Sequence, residues 1–158
     1  MPTRQDLLWS DYETHHRAGG NKVCHMVGIP LIIAGLLGLL AIPLAQVGGV
    51  PVELSLLLLL ITGGAYLWLD VKLGLAMIVF SLLLYFGARL LPWPITLGLF
   101  VIGWVFQFIG HGMYEKRSPA FTDNLAHLLV GPMCVLNHFV HLKGVKLETG
   151  NKKLENRI

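Results

Sequence analysis

The sequence has 158 residues, of which 54% are hydrophobic and only 13% are charged, about half the charged share of an ordinary soluble domain. One domain of this length cannot bury so much apolar surface in its own core, so the composition indicates an integral membrane protein. The formal net charge of +3 comes from neither a basic helix face nor a basic run interleaved with aromatic residues, and this pattern excludes nucleic acid as a partner.

The length predicts a single membrane domain over residues 1–158, and it opens with a polar segment at residues 1–22. Tyr12 and His16 lie one helical turn apart in this segment, with Trp9 beside them. We therefore predict a short helix that lies in the membrane interface. Gly19 and Gly20 are expected to break this helix before the first apolar run.

Four apolar runs then predict four membrane-spanning helices, because each is near the length of about 20 residues that crosses the hydrocarbon of a bilayer. The runs are 23–47, 52–69, 73–91 and one from 95 through His111 toward Arg117. The residues that separate them are typical of turns and helix ends: Gly48-Gly49 with Pro51, Asp70 to Lys72, and Pro92-Trp93-Pro94.

A fifth, weaker apolar segment at about 124–142 contains Gly131-Pro132. We predict that it is a broken helix that dips into the membrane and returns, or lies along the interface. With a cytoplasmic N-terminus, every lysine and arginine except Arg89 then lies on the cytoplasmic side, as the positive-inside rule requires. The predicted fold class is an all-α membrane helix bundle at 23–142, with a polar tail at 143–158 and both termini cytoplasmic. Such a bundle suits a bacterial inner membrane or the endoplasmic reticulum.

All seven histidines fall near the same membrane face in this topology, and polar groups gathered inside a membrane mark a functional site by default. Gln107, His111 and Glu115 share one face of the fourth helix at positions i, i+4 and i+8, and Asn21 and His25 share a face of the first. An imidazole and a carboxylate one turn apart can bind one metal ion, or can simply cap and solvate a helix end.

Helix geometry limits which other histidines can join such a metal site. His16 can reach His25 only if the chain folds back between them, because nine residues place them on opposite sides of a continuous helix. His127 and His138 lie on one helix face but about 16 Å apart. These two can share a metal only across the predicted Gly-Pro bend.

Two motifs carry a family resemblance over most of the chain, from about Tyr12 to His141. The first is His16-x4-Asn21-x3-His25-x2-Gly28-x-Pro30. The second is Trp104-x2-Gln107-x2-Gly110-His111-x3-Glu115-x3-Pro119-Ala120, followed by Asp123-Asn124-Leu125 and Gly131-Pro132. Together they resemble the pattern of the Mpo1-like family of small membrane proteins.

The resemblance implies an Fe(II)-dependent dioxygenase that shortens 2-hydroxy fatty acids by one carbon, with loss of carbon dioxide. It implies an iron site built from His16, His25, His111 and Glu115. His127 and His138 depart from the family pattern and are additional metal candidates. The implied partners are a 2-hydroxy fatty acid, dioxygen and the lipid bilayer, and the oligomeric state is left open.

Other polar residues at the same height in the membrane receive supporting roles in this hypothesis. Gln107 hydrogen-bonds a ligand or the substrate, Asn21 orients His25, and Glu115 also takes part in catalysis. Four basic residues either attract the substrate carboxylate or act only as positive-inside signals. They are Arg17, Lys22, Lys116 and Arg117.

Two other functions remain compatible with the same residues. The ligand types also serve zinc, so a zinc-dependent membrane lipid hydrolase is one alternative. A non-enzymatic haem-binding or structural membrane protein is the other. A requirement for Fe(II) and dioxygen separates the dioxygenase from the hydrolase, and a visible absorption spectrum identifies a haem protein.

Overall fold

The computed structural model describes Ser10, Tyr12 and residues 18–115 and 126–141. Within these ranges the chain is a helix bundle with one β-hairpin. A π-helical turn at Gly110–Glu115 continues the fourth helix. The helices are α1 (Gly19–Leu39), α2 (Leu54–Leu69), α3 (Val71–Ala88), α4 (Trp93–Ile109) and α5 (His127–Val140), and the strands are β1 (Pro43–Val47) and β2 (Val50–Glu53).

Three of the described helices are long and apolar enough to cross a membrane: Gly19–Leu39, Val71–Ala88 and Trp93–Glu115. The prediction of a mainly helical membrane protein is therefore confirmed. α2 has 16 residues and is about 24 Å long, which is shorter than the hydrocarbon core of a typical bilayer. The count of four spanning helices and the cytoplasmic placement of the termini stay predictions.

The end of the first apolar run is a hairpin, and the prediction of a helix as far as Val47 is wrong. α1 ends at Leu39, and β1 pairs with β2 in antiparallel register. Gly48 and Gly49 both have positive φ, +58° and +81°, as a type I′ hairpin turn requires. Apolar content alone does not distinguish a strand from a helix, and nearly all of the hairpin is exposed.

The two ends of the predicted bundle also differ from expectation. α1 begins at Gly19 after an extended Ala18. Gly19 and Gly20 therefore lie in the first turn of α1, and the non-helical residue is the one before them. α5 is continuous through Gly131 and Pro132, and the predicted break there is wrong. The rest of the interfacial segment and the tail at 143–158 lie outside the described residues.

The closest helix packing in the described chain joins α1 to α4. A Cβ added at Gly103 would lie 2.8 Å from the backbone oxygen of Gly28, and one added at Gly35 would lie 2.7 Å from the oxygen of Thr96. No real Cβ tolerates such contacts, so glycine is needed for the two backbones to approach. Membrane helices commonly use small residues in this way. The crossing fixes His25 of α1 against the end of α4.

The far end of the bundle is closed by a buried carboxylate. Glu53, the last residue of β2, lies with Oε1 2.9 Å from Arg89 Nη2 and accepts a 2.8 Å hydrogen bond from the Tyr85 hydroxyl. Ser55 donates a further hydrogen bond to it. A buried charge needs such partners, and these ones attach the hairpin to the end of α3.

Candidate active site

Two histidines from distant parts of the chain meet inside the bundle. The ring centroids of His25 and His111 lie 4.9 Å apart with the rings at 61°, and each residue is 4% exposed. The predicted meeting of these residues is thus observed. Two imidazoles this close can bind a common metal ion or a common substrate group.

His111 lies in the π-helical turn, a feature that often marks functional sites. Its Nδ1 atom lies 3.6 Å from Oε2 of Glu115, whose side chain is 8% exposed. Metal-binding histidines usually direct their second ring nitrogen at a carboxylate or carbonyl. Glu115 is therefore close enough to orient His111, and its predicted role as a metal ligand stays a prediction.

Tyr12 connects this pair to His127. Its ring centroid lies 6.5 Å from that of His25 and 6.1 Å from that of His127, onto which it stacks. On a continuous helix Tyr12 and His25 would be about 20 Å apart, so Tyr12 does not continue α1 but lies against it. Burial raises the pKa of the Tyr12 phenol well above its usual value of 10.0, and Cys134 and Glu115 raise it further. The phenol is consequently a hydrogen-bond donor at neutral pH.

Two buried amides lie beside the histidines. Three of their atoms have no hydrogen-bond partner among the described residues: Oδ1 and Nδ2 of Asn21 and Nε2 of Gln107. The Asn21 amide lies against Gly110 at the start of the π-helical turn, and its role in orienting His25 stays a prediction. Each unsatisfied buried polar group costs about 1–3 kcal/mol. Gln107 borders the cavity described next, where a ligand can recover this cost.

A largely apolar cavity of about 450 Å³ begins at these residues and runs between the helices. This volume is typical of small-molecule sites. The polar end of the cavity is formed by Tyr12, His25, Gln107, His111 and His127, and the apolar wall includes Ile29, Ile33, Phe100, Trp104 and Leu129.

Among the described residues, two of the predicted site residues lie apart from this cluster. Lys22 is exposed, and His138 is exposed with its ring 6.4 Å from that of His141. His16, Arg17, Lys116 and Arg117 lie outside the described residues. Within the described ranges, no three His, Cys, Asp or Glu side chains converge closely enough to hold a metal ion. The predicted iron site stays a prediction.

Sequence reasoning missed Tyr12 and Tyr66 as cavity residues. Both are buried and belong to one core cluster, and both border the cavity. The helical spacing of Tyr12 and His16 indicates a helix in the interface, but no sequence signal shows that Tyr12 is buried against His25 and His127. Tyr66 lies in an apolar run in which spacing does not separate the cavity side from the lipid side.

These features define a membrane helix bundle with a buried histidine pair at the polar end of an apolar cavity. The chain belongs to the Mpo1-like family, since the family model described as "2-hydroxy-palmitic acid dioxygenase Mpo1-like" matches residues 4–142. The 2-hydroxy-palmitic acid dioxygenase MPO1 of Saccharomyces cerevisiae is 33% identical over 135 residues, which cover 84% of this chain and 78% of the yeast protein. No solved structure shows significant similarity. The family resemblance predicted from the two motifs is confirmed.

Proposed function

We propose that this protein is an iron-dependent dioxygenase that removes one carbon from 2-hydroxy fatty acids. The observation that carries the proposal is the buried pair His25 and His111 at the polar end of a 450 Å³ apolar cavity. The proposal is supported by the yeast relative, which is named a 2-hydroxy-palmitic acid dioxygenase. A fatty acid matches the cavity, since it has one polar end and a long apolar chain.

The donor types at the polar end fit Fe(II). The imidazoles of His25 and His111 would hold the ion, and His16 would supply a further ligand. Fe(II) sites that activate dioxygen commonly combine histidine with carboxylate ligands and leave positions open. When bound, the iron would provide a place for dioxygen and for the carboxylate and hydroxyl oxygens of the substrate.

The other residues of the site position the substrate and exclude water. The protonated phenol of Tyr12 and the Nε2 of Gln107 are donors at the cavity's polar end, where they would hydrogen-bond the substrate's head group. His127 stacks on Tyr12 and keeps it near His25. Glu115 orients His111. The apolar wall encloses the acyl chain, so bulk water is displaced from the reacting end.

The overall reaction balances without a further reductant. One 2-hydroxy fatty acid and one dioxygen yield a fatty acid one carbon shorter, carbon dioxide and water. The test supplies purified protein with Fe(II) and 2-hydroxypalmitate labelled at the carboxyl carbon. We expect labelled carbon dioxide and pentadecanoic acid in air, and neither product under argon. Cleavage of a lipid ester or amide by the zinc-loaded protein under argon, without labelled carbon dioxide from 2-hydroxypalmitate in air, would instead indicate a hydrolase and would overturn the proposal.

A further inference from the structure

We propose that the far end of the cavity sets the longest acyl chain that the protein accepts. This end is a leucine floor formed by Leu36 and Leu37 of α1 with Leu58 and Leu59 of α2. The inference rests on the proposed function for the chemistry of the head group. The length limit itself depends only on the cavity.

The cavity has a direction. The histidines, Tyr12 and Gln107 form one end. Among the described residues, the other side chains with a polar atom that border the cavity are Thr62, Tyr66, Ser81 and Trp104. The Thr62 hydroxyl is occupied, since it donates a 2.8 Å hydrogen bond to the backbone oxygen of Leu58. A fatty acid therefore binds with its carboxyl group at the histidines and its methyl group toward the leucine floor.

The length of the cavity suits a single acyl chain. His25 and Leu37 both border it and are separated by twelve residues of α1, which correspond to about 18 Å along a helix. One acyl chain of a membrane lipid occupies half of the hydrocarbon core, about 15 Å. A chain of ordinary membrane-lipid length thus extends from the histidines to the floor.

The layer behind the floor prevents a longer chain from continuing. Ser55 lies one helical turn before Leu59, is fully buried, and donates its backbone N–H to the oxygen of Leu40 in a 2.9 Å hydrogen bond. Beside it is the buried carboxylate of Glu53, held by Tyr85 and Arg89. A methyl group that passed the floor would have to separate these charged and hydrogen-bonded groups, which is unfavourable.

Chain length should therefore affect affinity in two regimes. Below the limit, each methylene that the cavity buries raises affinity about fourfold. Above it, additional methylenes find no room, and affinity stops rising or falls. A substitution in the leucine floor changes the chain length at which affinity stops rising. A substitution on the lipid side of the same helix does not.

The test compares Leu59→Trp, Leu59→Ala and Leu60→Trp. Leu60 follows Leu59 in α2 and is 74% exposed, so it is the matched control. Binding of 2-hydroxy acids from 2-hydroxylaurate to 2-hydroxyarachidate is measured without dioxygen, by displacement of a fluorescent fatty acid. Turnover of the same series is then measured in air.

We expect Leu59→Trp to shorten the chain length that binds most tightly by about two carbons. The affinity for the longest acid should fall on the order of tenfold. Leu59→Ala should move the optimum to longer chains, and Leu60→Trp should match the wild type. An unchanged optimum in both folded Leu59 variants would overturn the inference, because chains would then leave the cavity by another route. Absence of turnover with a shifted binding optimum would instead count against the proposed function and support the length limit.

Discussion

The Nδ1 atom of His111 lies 3.6 Å from Oε2 of Glu115, which follows it at position i+4 in the same π-helical turn. In this position the carboxylate favours the tautomer of His111 that directs the lone pair of Nε2 away from Glu115. We expect Glu115→Gln to weaken iron binding by about 10–100-fold, because a neutral amide orients the ring less strongly. Iron titration under anaerobic conditions, followed by metal analysis, measures the change. Equal iron affinity in the variant and the wild type would exclude this role.

The contact between Gly28 and Gly103 predicts a sharp difference between two glycines of α4. Gly103→Ala should destabilise the protein by about 1–3 kcal/mol, because the added methyl group would separate α1 from α4. Gly98→Ala is the control, since a Cβ there has no heavy atom within 4 Å among the described residues. Thermal unfolding in detergent measures both. Similar melting temperatures for the two variants would contradict the close packing.

The raised pKa of Tyr12 predicts how stability depends on alkaline pH. In the unfolded chain the phenol ionises near pH 10, whereas in the folded chain it stays protonated to higher pH. The folded state then binds more protons, so this contribution to stability is complete below pH 10 and falls as the pH rises above it. Tyr12→Phe should lose less stability than the wild type between pH 9 and about pH 11. Parallel pH profiles would show that Tyr12 is not buried in solution.

Much of the fold could be predicted from the sequence because apolar runs, turn residues and helix ends are local signals. Asp70, for example, separates two helices and caps the second by accepting a hydrogen bond from the backbone N–H of Leu73. The strands of the hairpin at Pro43–Glu53 could not be predicted in the same way, since apolar residues such as Leu44 and Val47 are compatible with a helix or a strand. Pairing with a second strand, which is a non-local contact, determines its structure.

Part of the candidate site could likewise be predicted from local sequence signals, and part of it depends on tertiary contacts. His25 and His111 could be assigned to one site because topology and helix phase place them at the same height on facing helices. The position of Tyr12 depends on its contacts with His25 and His127, and the depth of the cavity depends on which sides of α1 and α2 face each other. These are tertiary contacts, which a single sequence does not specify.

In the proposed mechanism, His25 and His111 hold one catalytic iron ion. The most direct measurement is the iron content of anaerobically purified wild type, His25→Ala, His111→Ala and the control His138→Ala, whose histidine is exposed and apart from the site. Each folded sample is then supplied with 2-hydroxypalmitate in air. We predict about one iron per chain and formation of pentadecanoic acid for the wild type and His138→Ala, and loss of both in the other two variants. Full iron content and activity in a folded His111→Ala variant would show that His111 does not hold the iron.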